Sequence, residues 1–233
     1  MRKKLKNKPF FIFNPKSYFY GDELLNLAKV ADEEALKYPD VNIFVTVPFA
    51  DIGAVSQATK NIIITAQHMD SLKPGIGIGR VLGESIQNAG AEAVFLNHAE
   101  RPMLLTELVQ TIKRAKELGI VTIVCASTID EARAIATLAP DIILAEPTEL
   151  IGTGKTSSTK YIKTTNTAVK EINENILMMQ AAGISKAEDV YEVISLGADG
   201  TGCTSGIVKA DDPEQMLRNM VEAVNKAFNE REN

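Results

Sequence analysis

The stretch VTIVCASTIDEARAIATLAPDIILAEP, residues 121–147, contains the pattern that decides the fold. Two β-branched runs, VTIVCA (121–126) and DIILA (141–145), flank a segment of helical period. That segment opens with Thr128 and places Glu131 three residues later, which is the spacing of a helix capping box. Continuous apolar runs are typical of parallel strands covered by helices. The stretch therefore predicts one strand–helix–strand unit of a parallel sheet.

The same rhythm runs through the whole chain. The pattern predicts strands at 10–13, 42–47, 62–66, 93–97, 121–126, 141–145, 175–180 and 199–204. The last of these, DGTGCT, is the weakest because it is rich in Gly and Thr. The clearest helices are predicted at 21–38, 102–119, 128–139 and 212–228.

Two of these helices carry more detailed predictions. In the first, Leu24, Leu27, Ala31 and Leu36 are expected near one buried face. The second is expected to start at Pro102, because proline suits a first helical turn. Eight strands that alternate with helices favour an α/β fold of the (β/α)8 barrel type in one domain. A doubly wound open sheet competes, because spacing alone does not separate the two folds.

Composition excludes several classes of protein. The chain has 233 residues, 45% of them hydrophobic, and a net charge of −5, so nothing draws it globally to nucleic acid or an anionic membrane. Residues 1–8, MRKKLKNK, are basic and are expected to form a flexible, solvated tail. No apolar run reaches membrane-spanning length. Cys125 and Cys203 fit no metal spacing and suggest a reducing compartment, the cytoplasm.

Candidate functional residues follow the predicted strands, at the end of a barrel where active sites lie. They are Asn14 and Lys16 after the first strand, His98 and Glu100 after the fourth, Glu146 after the sixth, and the small-residue loops AAGIS and TSGI after the seventh and eighth. Each alone is more often structural or solvated, so their joint placement is the argument. Two histidines without paired ligand spacing predict no metal site.

This set of side chains suits one kind of chemistry. Glycine-rich loops present backbone N–H groups to a phosphate dianion, and a lysine adds positive charge. A carboxylate base and an imidazole donor are what proton abstraction beside a carbonyl needs. The segment IGTGK is not a Walker A loop, because Glu149 stands where that motif requires its first glycine.

Five motifs, in order along nearly the whole chain, resemble the triosephosphate isomerase family, especially its short archaeal-type branch. They are N-x-K near the start, NH-[SA]-E-R, EP-x-ELIGTG, AGIS and SGI-x-KA-x-DPE. The resemblance implies a single TIM-barrel domain over residues 1–233. It also implies an intramolecular oxidoreductase that interconverts dihydroxyacetone phosphate and D-glyceraldehyde 3-phosphate through an enediolate.

The resemblance also assigns roles to residues. Lys16 would stabilise negative charge, a neutral His98 would polarise the carbonyl and Glu146 would carry the proton between carbons. Phosphate would be held by backbone groups of Ile151, Gly152, Gly183, Thr204, Ser205 and Gly206. Asn14 would orient the first loop, Glu100 would pair with Lys16 or shape the mouth, and His68 would be structural or lie at an interface. The resemblance implies that the protein needs no cofactor. It also implies a homo-oligomer, either a tetramer or a dimer.

Three departures from the family pattern keep alternatives open. Ala99 replaces a usual serine, residues 74–80 are unusually apolar and glycine-rich, and GTGCTSG replaces an apolar eighth strand, which would widen the pocket. One alternative is an isomerase of a longer ketose phosphate, such as the tetrulose erythrulose phosphate, with the same catalytic trio. Another is a silent barrel that binds phosphorylated sugars as a sensor.

Overall fold

Eight parallel strands close into a barrel in chain order. A computed structural model describes Leu5, residues 8–147 and residues 158–232. The strands are β1 Phe10–Phe13, β2 Asn42–Val47, β3 Ile63–Ala66, β4 Ala93–Leu96, β5 Val121–Ala126, β6 Ile142–Ala145, β7 Leu177–Gln180 and β8 Gly200–Cys203. The ring closes where β8 pairs with β1, Gly200 opposite Phe10. The predicted single (β/α)8 TIM barrel is confirmed, and the open doubly wound sheet is wrong.

Helices alternate with the strands and pack outside the barrel. Within the described residues they are α1 Gly21–Lys37, α2 Ile52–Ala58, α3 Gly83–Ala89, α4 Leu105–Leu118, α5 Ile129–Ala136, α6 Thr159–Lys170, α7 Ala187–Ser195, α8 Ser205–Val208 and α9 Pro213–Glu232. The predicted cap of α5 forms, since Thr128 accepts a hydrogen bond from the Glu131 N–H. No helix in this described part of the chain combines the length and apolarity needed to cross a membrane.

Two helix predictions are wrong in detail. Leu36 is 71% exposed, while Leu24, Leu27 and Ala31 are buried as expected, because Leu36 lies beyond the edge of the narrow apolar face. Helix α4 begins at Leu105 and not at Pro102. The chain after β4 first completes a turn, in which the Met103 N–H donates to Asn97 Oδ1 at 3.0 Å.

The barrel interior explains the weak sequence signal of β8. Gly200 and Gly202 occupy the positions where inward side chains would stand. The Phe10 ring lies against Gly200, and a Cβ on Gly202 would lie 2.5 Å from the Ile12 carbonyl oxygen and 2.6 Å from Met179 Cε. Glycine in β8 therefore makes room for bulky neighbours on β1 and β7, and the strand is set by its context instead of its own β-propensity.

Two residues of the predicted basic tail have defined contacts. Leu5 is 3% exposed and belongs to the same buried cluster as Phe10 and Phe44 inside the barrel. Lys8 Nζ donates to the Pro39 carbonyl at 2.8 Å and lies 3.2 Å from the Asp40 carboxylate. At these two positions the N-terminal segment is packed against the barrel.

Candidate active site

One cavity opens at the carboxyl ends of the strands and gathers most of the predicted site residues. It is lined by Asn14, Lys16, His98, Glu146, Gly183, Thr204 and Ser205, with apolar side chains from the strands beneath them. Five different strands, β1, β4, β6, β7 and β8, therefore contribute to a single site. This is the placement that a barrel gives to residues that follow its strands.

The loop after β1 holds Lys16 in an unusual backbone conformation. Lys16 has φ of 50°, a region that non-glycine residues seldom adopt. Its N–H donates to Asn14 Oδ1 at 3.0 Å, and its carbonyl accepts from Gln67 Nε2 at 2.7 Å. The Asn14 N–H in turn donates to the Cys203 carbonyl at 3.1 Å. These bonds stabilise a conformation that aims the lysine at the cavity.

The Lys16 ammonium is paired with a carboxylate. Lys16 Nζ lies 2.5 Å from Glu100 Oε1, and the lysine side chain is much less exposed than the glutamate. Glu100 lines a second, adjoining cavity together with Asn14, Lys16 and His98. The pair thus stands at the boundary between the two cavities.

The hydrogen bonding of His98 fixes its tautomer. The Glu100 N–H donates to His98 Nδ1 at 3.1 Å, so Nδ1 presents a lone pair. The ring proton of the neutral imidazole then resides on Nε2. A protonated ring would bring an Nδ1–H against the Glu100 N–H. The backbone after β4 therefore favours an uncharged histidine with one N–H donor.

The surroundings of His98 also favour its uncharged form. Burial lowers the pKa of His98 below its usual 6.5, the nearby Lys16 ammonium lowers it further, and Glu100 opposes them. The imidazole is consequently neutral at and above neutral pH. It can donate a hydrogen bond without carrying a charge.

Glu146 follows β6 directly, and its pKa is raised where that of His98 is lowered. Its N–H donates to the Ala126 carbonyl at 3.0 Å, which extends the β5–β6 ladder by one residue and fixes the backbone. Burial raises the pKa of Glu146, Lys16 opposes the rise and Glu100 adds to it. A carboxyl group with a raised pKa is a stronger base once ionised, which suits proton abstraction from carbon.

The other side of the cavity is built from backbone and small side chains. The loop after β8 runs through Thr204 into the short helix α8, and Gly206 packs so tightly that a Cβ would lie 2.5 Å from the Ser185 carbonyl oxygen. Ser185 donates two hydrogen bonds to Asp189 Oδ2, one from its backbone N–H at 2.9 Å and one from its hydroxyl at 2.8 Å. The Asp189 carboxylate fixes the loop after β7, and the close approach of Gly206 to Ser185 packs the loop after β8 against it.

Several predicted residues lie elsewhere. Ile151 and Gly152 fall outside the described residues, as does most of the predicted lid. Gly206 is adjacent to the cavity without lining it. His68 is buried, lies 3.6 Å from Asp70 and lines the second cavity. Ala99 lines a separate groove beside α5.

Sequence reasoning missed three residues that shape the site. Asn97, at φ of 56°, donates through Nδ2 to the Cys125 carbonyl at 3.0 Å and so anchors the turn that presents His98. Met179 and Lys209 line the cavity. Lys209 stands within the SGI-x-KA motif, so its position after strand eight was an available signal. Within the described residues, no cluster of three or more His, Cys, Asp or Glu side chains is arranged to hold a metal ion.

Comparison with known proteins places this geometry in a family. The sequence model described as triosephosphate isomerase matches residues 9–224. The triosephosphate isomerase of Methanocaldococcus jannaschii is 37% identical over 218 residues, which cover 91% of this chain and 99% of that protein. Those of Sulfurisphaera tokodaii and Methanobacterium bryantii are 35% and 36% identical, over 96% and 94% of this chain and 98% and 99% of their own lengths. The chain therefore belongs to the triosephosphate isomerase family.

Proposed function

We propose that the chain catalyses the interconversion of dihydroxyacetone phosphate and D-glyceraldehyde 3-phosphate. The observation that carries the proposal is the pairing, in one cavity, of a carboxyl group with a raised pKa and a neutral imidazole whose N–H is on Nε2. These are a base for carbon and an uncharged donor for oxygen. Glu146 and His98 hold these roles, with Lys16 beside them.

Glu146 acts as the base. Its ionised carboxylate takes a proton from C1 of dihydroxyacetone phosphate, the C1–C2 double bond forms, and negative charge moves to the C2 oxygen. Return of the same proton to C2 completes the shift. Because burial raises the pKa of Glu146, its carboxylate is a stronger base toward the proton on carbon.

His98 and Lys16 act on the oxygens. The Nε2–H of His98 donates to the carbonyl oxygen as charge develops there and moves a proton between the two oxygens of the enediolate. Lys16 offsets the negative charge of the substrate. Glu100 takes one contact of the ammonium, and a lysine has three N–H donors, so Lys16 can contact the substrate while it stays paired.

The phosphate group lies at the β7–β8 side. Gly183, Thr204 and Ser205 line the cavity there and would offer their backbone N–H groups to the phosphate, and Gly206 continues the loop. Small side chains leave these donors accessible, which suits a phosphate dianion. The positions of Ile151 and Gly152 would contribute from the predicted lid.

The tetrulose alternative finds no support in the geometry of β8. The small residues of GTGCTSG suggested a wider pocket, but at Gly202 Met179 and the backbone of Ile12 fill the space that a side chain would occupy. The silent-sensor alternative is disfavoured by the joint presence of Lys16, His98 and Glu146 in one cavity. A triose phosphate is therefore the favoured substrate.

A coupled assay tests the proposal. Purified protein is given glyceraldehyde 3-phosphate in one series and erythrulose phosphate in another, at matched concentrations. We expect a kcat/KM for the triose that approaches the diffusional ceiling of about 10⁸–10⁹ M⁻¹s⁻¹ for efficient isomerases. A tetrulose rate above the triose rate would transfer the proposal to the alternative substrate. No turnover of either would favour the sensor.

Assembly and location are proposed on separate grounds. Ile76 and Ile78 are fully exposed in the loop between β3 and α3, which supports a homo-oligomer in which a second copy covers them. Light scattering with Ile76→Asp and Ile78→Asp variants tests this. Cys125 and Cys203 are both free and buried, which supports the proposed cytoplasmic location.

A further inference from the structure

We propose that Lys209 is a second cation of the substrate site, which attracts the phosphate dianion to the β7–β8 side of the cavity and raises its affinity. The inference rests on the proposed function and goes beyond the catalytic trio. It assigns a role to a lysine that closes α8 and that neither the chemistry on carbon nor the fold requires.

The placement of Lys209 is the first observation. Its N–H donates to the Ser205 carbonyl at 3.1 Å, so the two residues are one helical turn apart. Residues four apart on a helix lie on the same face. Lys209 accordingly lines the same cavity as Ser205, Thr204 and Gly183, the residues proposed to hold phosphate.

The second observation is that the ammonium group of Lys209 has no hydrogen-bond or ion-pair partner among the described residues. Lys209 is exposed, and across the described residues its Nζ makes no hydrogen bond or ion pair. Other lysines differ: Lys16 is paired with Glu100, and Lys170 lies 3.0 Å from Asp199. An unpaired ammonium at the mouth can meet an incoming anion without first breaking a contact.

The balance of charge gives the third argument. The charged side chains that line the cavity are Lys16, Lys209 and Glu146, and His98 is neutral. Lys16 is already paired with Glu100 at the boundary of the cavity, so among the described residues Lys209 is the lining cation that has no carboxylate partner. The chain as a whole carries −5, which repels a dianion at long range. A local cation at the phosphate end counteracts that repulsion.

The experiment compares Lys209→Met with Lys29→Met as a matched control. Lys29 is an exposed lysine on α1, lines neither cavity at the barrel mouth and loses the same charge. Steady-state kinetics with glyceraldehyde 3-phosphate are measured for both variants, Lys209→Arg and the unmodified protein, over a range of ionic strength. The inhibition constant for inorganic phosphate is measured in parallel.

We expect Lys209→Met to lower kcat/KM by about tenfold at low salt, mostly through KM, because a steering charge acts on encounter and binding. The loss should shrink as salt shortens the Debye length from about 30 Å at 0.01 M to about 8 Å at 0.15 M. Inorganic phosphate should inhibit this variant more weakly. Lys209→Arg should recover most of the affinity, and Lys29→Met should match the unmodified protein.

The proposal is overturned if Lys209→Met and Lys29→Met have the same kcat/KM and the same inhibition by phosphate at every ionic strength. A loss confined to kcat would overturn it too, because that loss would indicate a structural effect. If the unmodified protein turns over no triose phosphate, the proposed function fails instead. In that case the binding of inorganic phosphate is measured by NMR for the unmodified protein, Lys209→Met and Lys29→Met. Weaker binding in Lys209→Met alone would show that Lys209 binds anions.

Discussion

The two sides of the barrel mouth are built in different ways. The side formed by β1, β4 and β6 presents the side chains of Lys16, His98 and Glu146. Hydrogen bonds hold the backbone of Lys16 and Glu146 and the imidazole ring of His98. The side formed by β7 and β8 presents mainly small residues, with the Lys209 side chain beside them. Side chains are needed where protons move and pKa values must be adjusted, while a phosphate dianion is bound by fixed N–H dipoles. Substitutions should therefore affect kcat on one side and KM on the other.

The largest effect is expected from Glu146→Gln. The amide has nearly the same shape as the carboxylate but accepts no proton, so kcat should fall by about 10²–10⁴-fold. Inorganic phosphate should still inhibit or bind, because the β7–β8 side is unchanged. Steady-state kinetics and a phosphate titration measure both quantities. A variant that kept its turnover would remove Glu146 from the mechanism.

The next effect is expected from His98→Asn, with His68→Asn as the matched control. His68 is buried and His98 is half-buried, and desolvation lowers the pKa of both, but only His98 lines the cavity that holds Glu146. Loss of the Nε2–H donor should lower kcat by about 10²-fold or more. His68→Asn should keep its turnover once its folded fraction is matched by circular dichroism. Equal losses in the two variants would contradict the assignment of the tautomer-fixed histidine as the oxygen donor.

A smaller effect, and one on KM, is expected from Gly206→Ala. The new Cβ would lie 2.5 Å from the Ser185 carbonyl oxygen, so the loops after β7 and β8 must separate. Overpacking of this kind costs about 1–3 kcal/mol of stability. The displaced N–H groups should raise KM for the triose several-fold more than they lower kcat. Gly53→Ala, where a Cβ meets nothing within 4 Å, is the control.

The smallest effect is a shift of the pH profile in Glu100→Gln. The acid side of kcat/KM reports ionisation of the base, and because the pKa of Glu146 is raised, activity should fall at a pH above the usual 4.5. Glu100 contributes to that rise, so its removal should move the acid midpoint to lower pH. Rates measured between pH 4 and 8 test the sign. A midpoint that moved upward would mean that Glu100 acts mainly by positioning Lys16.

Most of the fold was predictable from the sequence, but the strands and helices differ in how clearly the sequence indicates them. Seven strands have continuous apolar runs, so their positions follow from composition. β8 does not, because its inward positions are glycines whose space is filled by Phe10 and Met179 from neighbouring strands. Only the tertiary structure reveals such packing. Leu36 was misplaced because helical period alone does not give the width of the buried face.

The site was predictable where residue type carries the chemistry. Lys16, His98 and Glu146 each follow a predicted strand, and it was their joint placement at strand ends that pointed to a site. A contact of Lys16 with Glu100 was one of the two roles that the family resemblance implied for Glu100. The bond from the Glu100 N–H to His98 Nδ1 was not predictable, because it depends on the backbone geometry of the loop after β4. Lys209 was overlooked although it stands in the SGI-x-KA motif, because a lysine after a short loop is usually solvated, and the structure is what places it on the cavity.

One measurement tests the central claim most directly. Unmodified protein is incubated with glyceraldehyde 3-phosphate in D₂O, and the products are followed by NMR. A carboxylate that carries the proton between C2 and C1 should yield dihydroxyacetone phosphate with deuterium at C1 in part of the molecules, because the Glu146 carboxyl exchanges with solvent during the reaction. Absence of dihydroxyacetone phosphate, or the same product at the same rate from Glu146→Gln, would contradict the account.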